Sequence, residues 1–370
     1  MLHPGKRAVL FVTCVSLCLV VLGGAAAWAL EVETHGFMLN RVYASPGEPP
    51  FFQTDRISVQ TVMKLSNRCA GSIEIYHHPY IPPVGAAEPY RTYIESAYVD
   101  LKDADGQGFF RVGRGRRLAF GMVPSYGNRK TSNYGLVSET FTQDRIQGIQ
   151  YCRTVENVNY AAALYTAYRI GSRPLGIGGI TTAPANVVNH LADRDVPHDI
   201  NQRLELSARV GASTPQGLSG GVSFATSKLS SADLTYMQTN FDPAYTSSTR
   251  TRYGLDAQYA KGPWFGQLEA YFGKTSDLDH NAWCALAGHA FPQGQKVFVR
   301  YGQQNNDITP TATQLTWDTS QLMVSAVQPI KWAGGAVWLQ FEYERNDEKP
   351  PAATPKVSND VFFAELFMGF

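Results

Sequence analysis

Four arginines fall within seven residues in FRVGRGRR: Arg111, Arg114, Arg116 and Arg117. A cluster of guanidiniums in a confined space would hold or steer anions. On a β-strand, however, successive side chains point to opposite faces, so strict alternation cannot bring all four together. Gly113 and Gly115 would allow a bulge that shifts the phase and turns most of them to one side. Arg129, Lys130 and Arg145 flank the cluster, with Glu139 and Asp144 as nearby counter-charges, and some of the arginines would pair with acids on neighbouring strands, such as Asp100.

Other chemical patterns are weaker. GLSGG, Gly217 to Gly221, matches the Gly-x-Ser-x-Gly form of a hydrolase nucleophile, but that chemistry needs a sharp strand-to-helix turn, and Ser219 sits early in an alternating stretch. DADG at 103–106 lacks the ligand spacing and closing Glu of a calcium loop and reads as a hairpin turn. His77 and His78 are adjacent and point apart. His190, Asp193, Asp195, His198 and Asp199 would sit on a long loop that could hold a cation, although a solvated loop is the simpler reading. No Cys-x-x-Cys-His haem site occurs, and no cofactor is called for.

The elements that must position these residues follow from the rest of the chain. Lys6 and Arg7, the apolar run from Ala8 to about Gly23 and the small residues Ala27 and Ala29 form a secretory signal peptide, with cleavage expected after Ala29. Residues 30–370 then make one domain. Removing Lys6 and Arg7 from the 32 basic residues leaves 30 against 31 acidic ones, a net charge of −1, which excludes a nucleic-acid partner in need of a basic face. Cys69, Cys152 and Cys284 are too few and scattered for a disulfide framework or a zinc site. Beyond Ala29 no apolar run reaches the about 18 residues of a membrane helix.

Period-2 alternation is pervasive instead. Leu204, Leu206, Ala208 and Val210 alternate with Arg203, Glu205, Ser207 and Arg209; Tyr253, Leu255, Ala257 and Tyr259 alternate with Arg252, Gly254, Asp256 and Gln258. Strands are expected near 37–43, 57–65, 72–76, 95–102, 109–120, 145–153, 158–171, 203–212, 218–226, 251–259, 264–274, 281–290, 296–303, 318–327, 336–344 and 360–370. That makes sixteen, with 14 and 18 as the neighbouring counts. Short connections follow even-numbered strands, and long ones follow odd-numbered strands (121–144, 172–202, 227–250, 304–317 and 345–359); only 275–280 breaks the rule. A sandwich has no reason to collect its long loops on one side, whereas a transmembrane antiparallel barrel does. The final stretch, DVFFAELFMGF, carries Phe362, Ala364, Leu366 and Met368 on one face and ends on Phe370, as a strand that closes a barrel against the first one would. Val361, Phe363 and Phe367 fall on its inward face, which a wet lumen does not explain.

With these residues in view the chain resembles Gram-negative outer-membrane porins. Phe370 and its alternating apolar neighbours look like the C-terminal signature read by the outer-membrane assembly machinery, and residues 94–121 with 144–151 are similar to a hairpin-and-loop pattern of phosphate-selective-porin-like families. The resemblance implies a water-filled barrel in the outer membrane, often a trimer, that passes small polar or anionic solutes without covalent chemistry. It also implies that the loop after strand five, 121–144, folds inward as a constriction. Lysine clusters of phosphate-selective relatives are absent there, with Lys130 alone in that loop. A barrel that serves as scaffold or sheath for a partner protein is the competing reading.

Overall fold

The computed structural model describes residues 31–44, 49–79, 90–122, 135–141, 145–174, 188–193, 200–306, 318–333, 336–349 and 360–370. The expected signal segment lies outside them. Seven strands open the chain: β1 (Glu31–Ala44), β2 (Phe51–Ser66), β3 (Cys69–Pro79), β4 (Tyr90–Lys102), β5 (Gly108–Arg116), β6 (Arg145–Val155) and β7 (Val158–Tyr168). After the short strands β8 (Ile170–Pro174) and β9 (Val188–Asp193) come β10 (Ile200–Ser213), β11 (Leu218–Lys228), β12 (Thr249–Lys261), β13 (Trp264–Thr275) and β14 (Leu278–Ala290). The last four are β15 (Lys296–Asn306), β16 (Thr319–Pro329), β17 (Ala336–Glu348) and β18 (Val361–Gly369). Among the described residues, sixteen of these strands form one closed antiparallel barrel, while β8 and β9 pair only with each other. Each expected strand corresponds to one barrel strand.

The alternation builds a two-faced wall. Leu206, Val222, Leu255 and Leu268 are about half exposed on the outside, whereas Glu205, Ser207, Asp256 and Glu269 are buried inside. No helix among the described residues is long and apolar enough to cross a membrane. The strands supply the apolar belt instead, and closure pairs their backbone groups where lipid offers no partners.

Closure is made by β1 and β18, in register from Phe37↔Gly369 to Ala44↔Phe362. The terminal residue completes it: Gly36 N–H donates to the Phe370 carbonyl at 2.8 Å and Phe370 N–H to the Gly36 carbonyl at 2.9 Å. Glycine is required here, since a Cβ at residue 36 would fall 2.4 Å from the Ser58 carbonyl oxygen, with the Phe370 ring 2.5 Å away. The inward apolar residues of β18 also find partners. Val361 and Phe363 pack with Tyr43 and Met323, the Arg41 guanidinium lies 5.2 Å from the centre of the Phe363 ring, and Phe367 stacks on Trp338 at 3.8 Å. This part of the lumen wall is packed rather than wet.

Two strands stop earlier than expected. The 109–120 segment leaves the sheet after Arg116, where the chain turns onto the inner wall, and 158–171 leaves the barrel after Tyr168, where β8 begins its pairing with β9. Two short helices were not expected from the sequence: α1 (Gly135–Phe141) and α2 (Ser231–Asn240). In α2 the Ser230 hydroxyl accepts from Asp233 N–H at 3.1 Å, and the Asp233 carboxylate accepts from Ser230 N–H at 2.9 Å, a capping box. The loop carrying α2 is latched to the short β13–β14 connection. Asp277 accepts from Ser247 and Thr246 N–H at 3.0 and 2.7 Å, which holds its carboxyl below the usual range.

Deleting Phe370 removes both closing hydrogen bonds and the ring that covers Gly36. We expect the deletion to abolish most heat-modifiable folded barrel on semi-native gels; folded protein at the wild-type level would overturn this account of closure.

Candidate functional site

The site grows from the end of β5. Beyond Arg116 the chain turns into the barrel, and Gln150 fixes the turn, accepting from Leu118 N–H at 2.8 Å and donating to the Arg116 carbonyl at 2.9 Å. Arg117, fully buried, donates to Glu205 at 3.1 Å and to the Tyr165 hydroxyl at 2.9 Å, and also reaches the Phe141 carbonyl. Glu205 accepts as well from Tyr165 and Arg252. The Arg117 and Arg252 guanidiniums both lie near the Phe120 ring, 4.9 and 5.4 Å from its centre. One carboxylate thus serves two arginines, and an aromatic face lies within cation–π reach of both.

From there α1 lies against the inner wall. Phe141 stacks on Tyr271 with centroids 5.0 Å apart, and both join a core with Phe120, Val137, Ala225 and Ala282. Ser138 donates to Glu269 at 3.3 Å, Thr140 to Gln304 at 2.8 Å, and Leu136 N–H to Gln321 at 3.4 Å. The described parts of the β5–β6 connection therefore touch the inner faces of strands from β11 to β16.

The arginine cluster divides differently from the expectation. Arg111 faces the lumen, bidentate to Asp100 at 2.8 Å for both bonds, its guanidinium 3.7 Å from the centre of the Tyr98 ring. The register of β5 runs without a shift from Phe109 to Arg114 against β4 and from Gly108 to Arg116 against β6, although Gly113 takes φ +127°. The phase change expected at Gly113 and Gly115 is therefore not made by a bulge in β5. Arg114 and Arg116 share the row of Phe110 and Val112, which are exposed on the outer face. Arg114 is nonetheless buried and donates to the Tyr168 hydroxyl at 2.5 Å. A bulge occurs instead on β4, where the extra residue is Glu95, and its carboxylate pairs with the buried Arg145. The acid moves to meet the arginine.

Arg129, Lys130 and Asp144 lie outside the described residues, and Glu139 belongs to α1 with its side chain outside them. Sequence reasoning did not single out Arg209, bidentate to Asp256 at 2.9 and 2.6 Å, or Arg250 and Arg252 on β12. The alternating Arg250-x-Arg252 pair was the available signal. Ser219 lies within β11, opposite Gln258, with no strand-to-helix turn. Asp103 and Asp105 bond Arg153 at 3.1 and 2.6 Å in a hairpin turn. Among the described residues no cluster of three metal-ligating side chains occurs.

No family model matches this sequence, and no curated protein does. Solved structures do match. OmpF of Salmonella typhi, in complex with daunomycin, superposes with a TM-score of 0.63 at 10% identity, covering 93% of this chain and 99% of the other. The outer membrane channel DcaP of Acinetobacter baumannii gives 0.62 at 9% identity over 93% and 99%. An anion-selective porin from Comamonas acidovorans gives 0.54 at 12% identity over 92% and 100%. The fold is that of a porin. At such low identity the likeness extends to the sixteen-stranded barrel and no further.

Breaking a buried ion pair by removing one partner costs about 3–5 kcal/mol. We expect Glu205→Gln to lower the urea midpoint at which the folded band is lost, because Arg117 and Arg252 both lose their carboxylate. An unchanged midpoint would show that Glu205 is not the central acceptor.

Proposed function

We propose that the protein is an outer-membrane pore for passive diffusion of small hydrophilic solutes, weakly preferring anions. The observation that carries this reading is a divided lumen with a segment folded between its walls. Arg111, Arg117, Arg145, Arg209, Arg250 and Arg252 come from the β5–β12 side. Asp55, Glu74, Glu269, Glu342, Glu344 and Glu365 come from β13–β18 and β1–β4, where Arg41, paired with Asp55 and Glu365, and Arg300 are also buried. Residues 117–122 and α1 sit between the two and narrow the passage. Fixed charges on low-dielectric walls focus fields and raise the local concentration of counter-ions, and arginine rings are one way to favour anions. The preference is weak because Glu205, Glu95, Asp100 and Asp256 already pair with the arginines. An outer-membrane site, recognition of the Phe370 end by the assembly machinery and a homotrimer belong to the same reading and rest on the porin fold and the closing strand.

Planar-bilayer recording of the purified chain is the test. Discrete, stable channels are expected, whereas a sheath for a partner protein would give unstable or very wide pores. Excising residues 124–133 should raise single-channel conductance; no change would mean that the β5–β6 connection does not set the pore.

Selectivity tests the arginine wall. Arg111 and Arg209 retain some exposure to the lumen, and replacing both with Gln leaves Asp100 and Asp256 uncompensated. The zero-current potential under a salt gradient should then move toward cation preference, by less at high salt, where charges are screened beyond about 3 Å at 1 M. A wild-type pore that already favours cations would overturn the anion preference.

A further inference from the structure

The loops beyond the constriction build a second core that the pore itself does not require. Ile170 of β8, Leu191 of β9, Leu229, Met237 and Phe241 in and around α2, and Leu278 of β14 are all buried against one another. Met237 is completely buried. Asp233, besides capping α2, accepts from Ile170 N–H at 3.0 Å and so ties the helix to the start of the β8–β9 hairpin. Arg250 donates to the Leu191 carbonyl at 3.4 Å, which anchors that hairpin to the barrel wall. On its other side β9 contacts α1. The order of contact is α2, hairpin, constriction helix.

A seven-residue helix such as α1 has no stability of its own, so its place depends on what backs it. We propose that Met237 and Asp233 are positioning residues for the pore: α2 buttresses α1 through the β8–β9 hairpin and thereby sets the width of the passage. This rests on the reading of α1 as the segment that narrows the lumen. The β11–β12 loop thereby becomes part of the gate, and shortening it should change conduction.

Single-channel recording tests the buttress with Met237→Ala, Met237→Leu, Asp233→Ala and the exposed-site control Thr239→Ala, each first shown to give the heat-modifiable folded band. Emptying a fully buried position shifts a docking equilibrium steeply. In Met237→Ala and Asp233→Ala the time spent in higher-conductance substates should therefore rise at least about tenfold over wild type. Met237→Leu conserves volume and should restore wild-type traces, as should Thr239→Ala. If Met237→Ala does not assemble, Asp233→Ala decides, since it removes polar anchors and no apolar volume. Folded variants with wild-type traces, alongside a loop excision that still raises conductance, would overturn the buttress and leave the pore reading standing. A wild-type chain that passes no discrete current would overturn both.

Discussion

Everything in this molecule depends on hiding the backbone from lipid. A strand in a bilayer has no water to satisfy its N–H and C=O groups, so the sheet must close on itself. Closure here falls on the meeting of the two ends of the described chain, β1 and β18, and is completed by the reciprocal bonds between Gly36 and Phe370. The absence of a Cβ at residue 36 lets the last ring lie over the seam. Once the barrel is closed, every other side chain of each strand is committed to the inside.

That commitment explains the density of interior charge. A buried guanidinium without a partner is costly, and nearly adjacent arginines compete for the same local acids. The barrel resolves this with acids from distant strands: Glu205 serves Arg117 across 88 residues, Arg209 turns to Asp256, and a bulge on β4 delivers Glu95 to Arg145. The same pairing carries the chain inward at residue 117. Once Arg117 is drawn to Glu205, Phe120 follows to within reach of two guanidiniums, and the connection that leads to α1 starts inside the barrel rather than above it.

The rim shows a related economy of contacts. The short Ser276–Asp277 connection, which breaks the alternation of loop lengths, places Asp277 to receive the backbone of the loop carrying α2. Ser276 takes φ +55° to make so tight a reversal. A turn that looks anomalous by length is the point to which a neighbouring loop is fastened.

What the sequence by itself determined is the wall. Period-2 alternation is local, so Leu204 to Arg209 or Tyr253 to Gln258 declare both strand and face without reference to anything remote, and the alternating loop lengths declare up-and-down order. Even the short signals near 37–43 and 72–76 marked real strands, longer than their clean alternation. Helix α2 was missed although Ser230-x-x-Asp233 was an available signal, while α1, GLVSETF, carries no cap signal of that kind. Only the tertiary structure decided which arginines face the lumen, that the phase shift falls at Glu95 rather than Gly113, and that residues 117–122 turn inward. The physical reason is range. Facing is set by neighbours one and two residues away, but a charge's partner is set by register around a closed sheet, where residues 47 to 88 apart in sequence meet side by side.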